Sequence, residues 1–208
     1  MKKTLILLFI LFCFNTVHAQ FAQNHAIYHS AEVSAGNYLG VDINANYVLR
    51  ESYSFKIGYS GFIRRPVAAP ENYSSGIIGL LTLGLANPYD QLQNIQLMAG
   101  KVYKFNKKGT IRANLSLGVA FTIINEPTNW EPVETSSFLA QNYTYDYQSY
   151  NTLSLIINPK LEFPFTRYYG LSLSPLLQIN KDRMYFGIGI GQMIGLLRGR
   201  YEQEESSD

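Results

Sequence analysis

The sequence predicts an all-β fold, an eight-stranded antiparallel up-and-down transmembrane β-barrel. Three observations carry that reading. Apolar and polar residues alternate through segment after segment, the two-residue period of a strand with one apolar face. Those segments run to roughly 10–14 residues, and a tilted strand needs roughly 9–11 to cross a bilayer. Their polar rows are mostly Gly, Ser, Asn, Thr and Ala, whereas a soluble barrel shows water a surface rich in Lys and Glu. The 16 Tyr, 12 Phe and 16 Gly suit strands better than helices.

The chain starts with the marks of export. Met1-Lys2-Lys3 is basic, residues 5–14 are an apolar run, and Val17-His18-Ala19 is a small-x-small cleavage site. Residues 1–19 are therefore read as a signal peptide, because a membrane helix needs roughly 20 apolar residues. Cys13 is the lone cysteine and lies inside that leader. Phe12 before it is too bulky for lipoprotein processing. An exported chain with no disulfide must draw its stability from extensive pairing or from a membrane. Residues 20–200 are assigned to the barrel and residues 201–208 to a disordered acidic tail in the periplasm. Of 17 basic residues, Lys2 and Lys3 belong to the leader, which leaves 15 against 15 acidic ones. A mature charge of zero argues against nucleic acid as a partner.

Strands follow in order from alternation and turn chemistry. The first, 26–35, sets Ile27, Ala31 and Val33 against Ser30, Glu32 and Ser34. The second, 38–49, sets Leu39, Val41, Ile43 and Tyr47 against Asp42, Asn44 and Asn46, and the third, 53–63, sets Phe55, Ile57 and Tyr59 against Ser54, Lys56 and Ser60. An irregular piece, 64–92, precedes the fourth strand, 94–105. The fifth, 110–123, is the cleanest: Leu115, Leu117, Val119 and Phe121 alternate with Arg112, Asn114, Ser116 and Thr122. A second long loop, 125–149, contains Trp130, Tyr143, Tyr145 and Tyr147. Strands 150–163, 169–179 and 184–197 complete the set. Short turns at 50–52, 106–109 and 164–168 fall at one end, and both long loops fall at the other.

Even strand number, short turns at one end and longer loops at the other resemble the small eight-stranded bacterial outer-membrane barrels, the outer-membrane protein A and X group. The likeness spans about residues 26–197 and is architectural. It implies an outer-membrane location, both termini in the periplasm, lipids as neighbours, and insertion by a machinery that reads a terminal aromatic residue, a role for Tyr201 or Leu197. It implies no cofactor. Lys101 falls on the apolar face of the fourth strand, so it either snorkels to the headgroups or is turned inward by a bulge at Gly100.

Candidate functional residues form three groups. Glu32, Asp42 and Glu162 against Lys56, Arg112 and Lys160 make a balanced charge network inside the barrel, which is just wide enough to be filled by side chains. Pro159 and Pro175, on the sixth and seventh strands, lie almost opposite one another and supply no N–H to the ladder. The sheet there should bulge or part. Two local bulges are the plainer reading, and a lateral gap admitting a lipid chain is the sharper one. Trp130, Tyr143, Tyr145 and Tyr147 are the loop contact candidates, with the tyrosines placed in an aromatic girdle rather than a sugar platform. The apolar segment 76–85 is read as strand extension or a cover over the barrel mouth, in preference to a contact element. His25 and His29 without cysteine exclude a zinc cluster, and His29 and Ser30, adjacent on a strand, face opposite ways. The leading function is thus a non-enzymatic outer-membrane protein with a plugged interior, acting through its loops on an extracellular ligand of unknown identity. The alternatives are an outer-membrane lipid-modifying enzyme and a soluble lipocalin-like carrier.

Overall fold

The computed structural model describes residues 24–82, 84, 87–134 and 139–198. The assigned signal peptide and acidic tail, with Tyr201, lie outside the described residues. The elements are β1 (His25–Gly36), β2 (Leu39–Leu49), β3 (Tyr53–Arg64), α1 (Gly76–Leu81), β4 (Asp90–Lys104), β5 (Arg112–Pro132), β6 (Tyr143–Phe163), β7 (Tyr169–Ile179) and β8 (Met184–Leu196). Each strand pairs antiparallel with the next and β8 pairs with β1, so the sheet closes into a ring without edges. At the β2–β3 turn Arg50 and Glu51 take φ of 50° and 54°, with Ser52 N–H donating to the Leu49 carbonyl at 3.1 Å. That is the primed turn whose twist suits a tight hairpin.

The alternation decides which face is outside. Val33, Ile43, Ile57, Leu117, Leu153 and Ile190 are exposed, while Ser30, Asn44, Ser60, Asn94 and Asn114 are buried. A soluble carrier would have these faces reversed. Exposed apolar rows around a polar, filled interior are what a hydrocarbon surrounding selects, since lipid accepts methyl groups and not unpaired polar atoms. The soluble-carrier alternative falls on this arrangement.

Inside, two apolar plugs bracket a polar layer. Tyr38, Phe62, Leu92, Ile124 and Tyr185 fill the end with the long connections. Ala26, Tyr28, Val48, Val102, Met193 and Leu197 fill the end where the termini lie. Leu197 is fully buried there.

Two sequence expectations need correction. Residues 125–149 are not a loop for most of their length: β5 and β6 are 21 residues each and stay paired as far as Pro132↔Tyr143, with a register shift between Thr128 and Glu131. Strand pairing beyond the membrane needs no apolar face, so the hydropathy alternation stops where the ladder does not. Where it is described, at residues 76–82 and 84, the segment 76–85 is not a strand extension. It begins as the short helix α1, closed by Thr82, whose N–H and hydroxyl both donate to the Ile78 carbonyl at 3.0 and 2.8 Å. Gly79 is its buried residue, and Ile78, Leu80 and Leu81 stay exposed.

Candidate functional site

The six charged residues of the polar layer come from five strands, and all six side chains are buried. Alternation aims each of them inward, and the glycines of β8 leave room for them. A Cβ on Gly191 would overlap Glu32, its cross-strand neighbour. Arg112 and Glu162 pair at 2.5 Å, as do Lys160 and Glu32. Glu162 also accepts from the Tyr28 hydroxyl at 2.8 Å and the Asn114 amide at 3.0 Å, and Glu32 accepts from Ser172 at 2.9 Å. Arg112 extends the network to the residue after β8 by donating to the Leu197 carbonyl at 2.7 Å. Lys56 and Asp42 are held differently. Lys56 donates to the Asn158 side-chain carbonyl at 3.1 Å, while Asp42 accepts from the Gln96 amide at 3.1 Å and from Asn44. The layer is thus two ion pairs and two charges solvated by amides. An ion buried in a low dielectric persists only when hydrogen bonds replace its water.

Asn158 joins this layer to the wall. The β6–β7 ladder runs from Leu155↔Ile179 to Ile157↔Leu177 and resumes at Leu161↔Leu173. In that constant register Pro159 stands directly opposite Pro175, and the pairing is interrupted on both sides of them. The flanking ladders run unbroken through Leu115↔Pro159 and Pro175↔Ile188, so both missing N–H donors belong to the β6–β7 seam. The reading of two local bulges is therefore corrected: no residue is displaced, and the sheet parts instead. Asn158 supplies the donor that the pyrrolidine rings lack. Its amide nitrogen donates to the Pro175 carbonyl at 3.0 Å and to the Ser174 hydroxyl at 2.7 Å, while its oxygen accepts from Lys56. A lipid-facing groove of about 320 Å³ lies outside the seam, lined by Pro159, Pro175, Phe186 and Ile188 among others. Behind it Asn158, Lys160, Ser174 and Leu176 are buried and fill the breach.

At the long-connection end, β5 and β6 project past the apolar band. The outward row of β6 passes from Leu153 through Asn151 and Ser149 to Tyr147, Tyr145 and Tyr143. The tyrosines stand beyond two polar outward positions, Asn151 and Ser149. They join Trp130 in an aromatic chain. Tyr73 meets Trp130 edge-on at 5.2 Å between ring centroids, Trp130 meets Tyr145 at 5.0 Å, and Tyr145 meets Tyr147 edge-on at 5.7 Å. Partial burial, reinforced by the neighbouring tyrosines, holds the phenols of Tyr73 and Tyr145 above their ordinary range. The β3–β4 connection is tied to this hairpin. Asn142 N–H donates to the Ser74 carbonyl at 3.1 Å, the Asn142 side chain accepts from Ser74 N–H at 2.7 Å, and the Tyr143 hydroxyl donates to Asn72 at 2.9 Å. Hairpin and connection make one docked surface.

No protein-family model matches the sequence, and no curated relative matches it. Solved structures do resemble it. The architecture is that of the small outer-membrane barrels. The N-terminal β-barrel domain of Pseudomonas aeruginosa OprF is 15% identical, with 83% of this chain and 97% of that one covered at a TM-score of 0.50. A major outer membrane protein from Thermus thermophilus is 12% identical, with 81% and 98% covered at a TM-score of 0.51. At such identities the likeness concerns the fold.

Sequence reasoning found the six charges but missed the roles of Asn158 and Asn44, which it grouped with the small fillers of the polar rows, and did not single out Gln96. The overlooked signal was position: Asn158 immediately precedes Pro159, the residue whose missing donor it replaces. Lys101 is exposed on the lipid side, in a strand with no register shift at Gly100, its ammonium 5.3 Å from the Tyr103 ring centroid. Of the two arrangements the sequence left open, the outward one is present.

Proposed function

We propose that this protein is an integral outer-membrane protein that works at the cell surface, with a sealed, non-enzymatic barrel as its support. The carrying observation is the docked surface of the β5–β6 hairpin and the β3–β4 connection. It stands clear of the apolar band, with Tyr147 of the hairpin and Ile78, Leu80 and Leu81 of α1 exposed at the same end. Rigid aromatic and aliphatic groups on a paired scaffold bind partners at small entropic cost. In this reading the long-connection end is extracellular and both termini are periplasmic. The two plugs and the charge layer leave the barrel closed to ions.

The mature chain has no cysteine, so single cysteines report orientation cleanly. Asp146→Cys on intact cells should react with a membrane-impermeant thiol reagent, and Lys107→Cys should react only after the envelope is opened. The opposite pattern overturns the proposed orientation, and release of the protein without detergent overturns the membrane reading. The parted β6–β7 seam favours a second reading, lipid modification by a barrel enzyme. Against it, the breach is filled, and His29 is exposed while Ser30 is buried. A mass change in lipid A or phospholipid on incubation with the purified barrel would establish the enzyme.

A further inference from the structure

Lys101 is a charge in an apolar row. Outward along β4 run Ile95, Leu97, Ala99, Lys101 and Tyr103, all but the lysine suited to lipid. A lipid-facing cation is strongly unfavourable at the midplane and nearly neutral at the headgroups. The side chain accordingly reaches toward the terminal end, over Tyr103.

Directly above it the wall is hollow. A groove of about 630 Å³ crosses β2, β3, β4 and β5, floored in part by Ala45 and Ala99 and walled by Tyr47, Phe55, Leu97 and Leu117. The alanines leave depressions on either side of the ridge formed by Phe55 and Ile57, whose cross-strand partners include Ala99 and Ala45. One wall is fixed in place: the Tyr47 hydroxyl is 3.0 Å from His25 Nδ1, and the two rings stack at 5.8 Å with 5° between their planes. Lys101 is the next outward residue after Ala99, about 7 Å along the strand. Its cross-strand neighbours are Tyr53 and Leu115, each one outward step from Phe55 and Leu117 of the groove.

We infer that this wall holds one anionic glycerophospholipid of the leaflet at the terminal end, its phosphate on Lys101 and its acyl chains in the Ala45 and Ala99 hollows astride Phe55 and Ile57. Charge complementarity argues for that occupant over a second copy of the chain, since Lys101 would face its own copy across a twofold contact. The phosphate also turns an unfavourable lipid-facing charge into a favourable one. The inference rests on the membrane reading above.

The test uses the full-length protein purified in detergent and titrated with dioleoyl phosphatidylglycerol or dioleoyl phosphatidylethanolamine under native mass spectrometry. The wild type should retain one phosphatidylglycerol with about fivefold preference over phosphatidylethanolamine, the factor expected of one lysine at an anionic surface. Lys101→Gln should abolish the preference. Ala99→Leu, which fills one hollow and keeps the charge, should weaken retention of both lipids. Equal retention by the wild type overturns the inference, as does a preference that survives Lys101→Gln, binding unaltered by Ala99→Leu, or selective retention of lipid A in place of phosphatidylglycerol. Should Ala99→Leu not fold, Lys101→Gln decides alone. A protein that stays soluble without detergent fails the membrane reading itself, a separate outcome.

Discussion

Asn158→Ala removes one side chain and strands two groups at once. Lys56 loses the acceptor of a charge-assisted hydrogen bond, which contributes about 1.5–3 kcal/mol. The Pro175 carbonyl loses its amide donor in a wall without water, a deficit of about 1–3 kcal/mol for a buried unpaired acceptor. Ser174 can rotate its hydroxyl and adds little. The barrel should therefore lose about 4 kcal/mol, and a chain of this size shifts its midpoint by roughly 2–4 °C for each of them. The expected fall is about 8–16 °C. The assay is the heat-dependent mobility shift of the folded barrel on semi-native gels, followed over a temperature series. Asn158→Asp is the informative companion, because it keeps an acceptor for Lys56 and loses the donor to Pro175. It should fall by less than Asn158→Ala. A midpoint for Asn158→Ala within the error of the wild type would show that the seam does not depend on this amide, and the reasoning would be refuted.

Arg112→Ala strands Glu162 and the Leu197 carbonyl, and loss of about 3–5 kcal/mol is expected from breaking a buried pair; unaltered heat resistance would dispose of the network. Planar-bilayer recordings of the wild type should show no steady channel, and stable conductance of porin size would contradict the two plugs. Gly191→Val should destabilise by about 1–3 kcal/mol or more through overlap with Glu32 and the adjoining backbone, which the same gel series measures. The Trp130 environment should be constant from pH 5 to 9. Because the Tyr73 and Tyr145 phenols are raised in the folded state, their contribution is complete below the ordinary phenol value of about 10 and is lost as pH rises beyond it. Trp130 emission that changes near neutral pH would count against a neutral aromatic cluster.

The strands were legible because lipid and a filled interior impose opposite demands on alternate residues, so Leu115, Leu117, Val119 and Phe121 announce a wall by themselves. That signal exists only where both demands act. Beyond Ile124 on β5 the apolar alternation stops, Pro127 and Pro132 imitate loop punctuation, and Asn129 at φ 54° sits in the register shift. A ladder maintained by cross-strand pairing alone leaves no hydropathy trace, and half of the surface site was hidden for that reason. The charges were legible as a neutral set, but their pairing was not. Which carboxylate meets which base depends on barrel stagger, and Lys56 and Asp42 meet amides instead of one another.

The way the barrel is shut at its base bears on the order of its assembly. Gly195, at φ 140°, bends the end of β8 so that Leu197 enters the interior. There its N–H donates to the Arg167 carbonyl at 2.8 Å while its own carbonyl receives Arg112. A Cβ at position 195 would strike the backbone of Ile27 and Tyr28, so this closing bend presses on the first strand of the ring. Strands far apart in synthesis must therefore arrive together: β1, the start of β5 and the end of β8 converge on one residue. A growing chain can form the hairpins in any order, but it can neither join the ring nor satisfy Arg112 until that last turn of sequence has been made. Premature closure around a partial chain, the usual hazard of a sheet with two open edges, is thereby denied its final contacts.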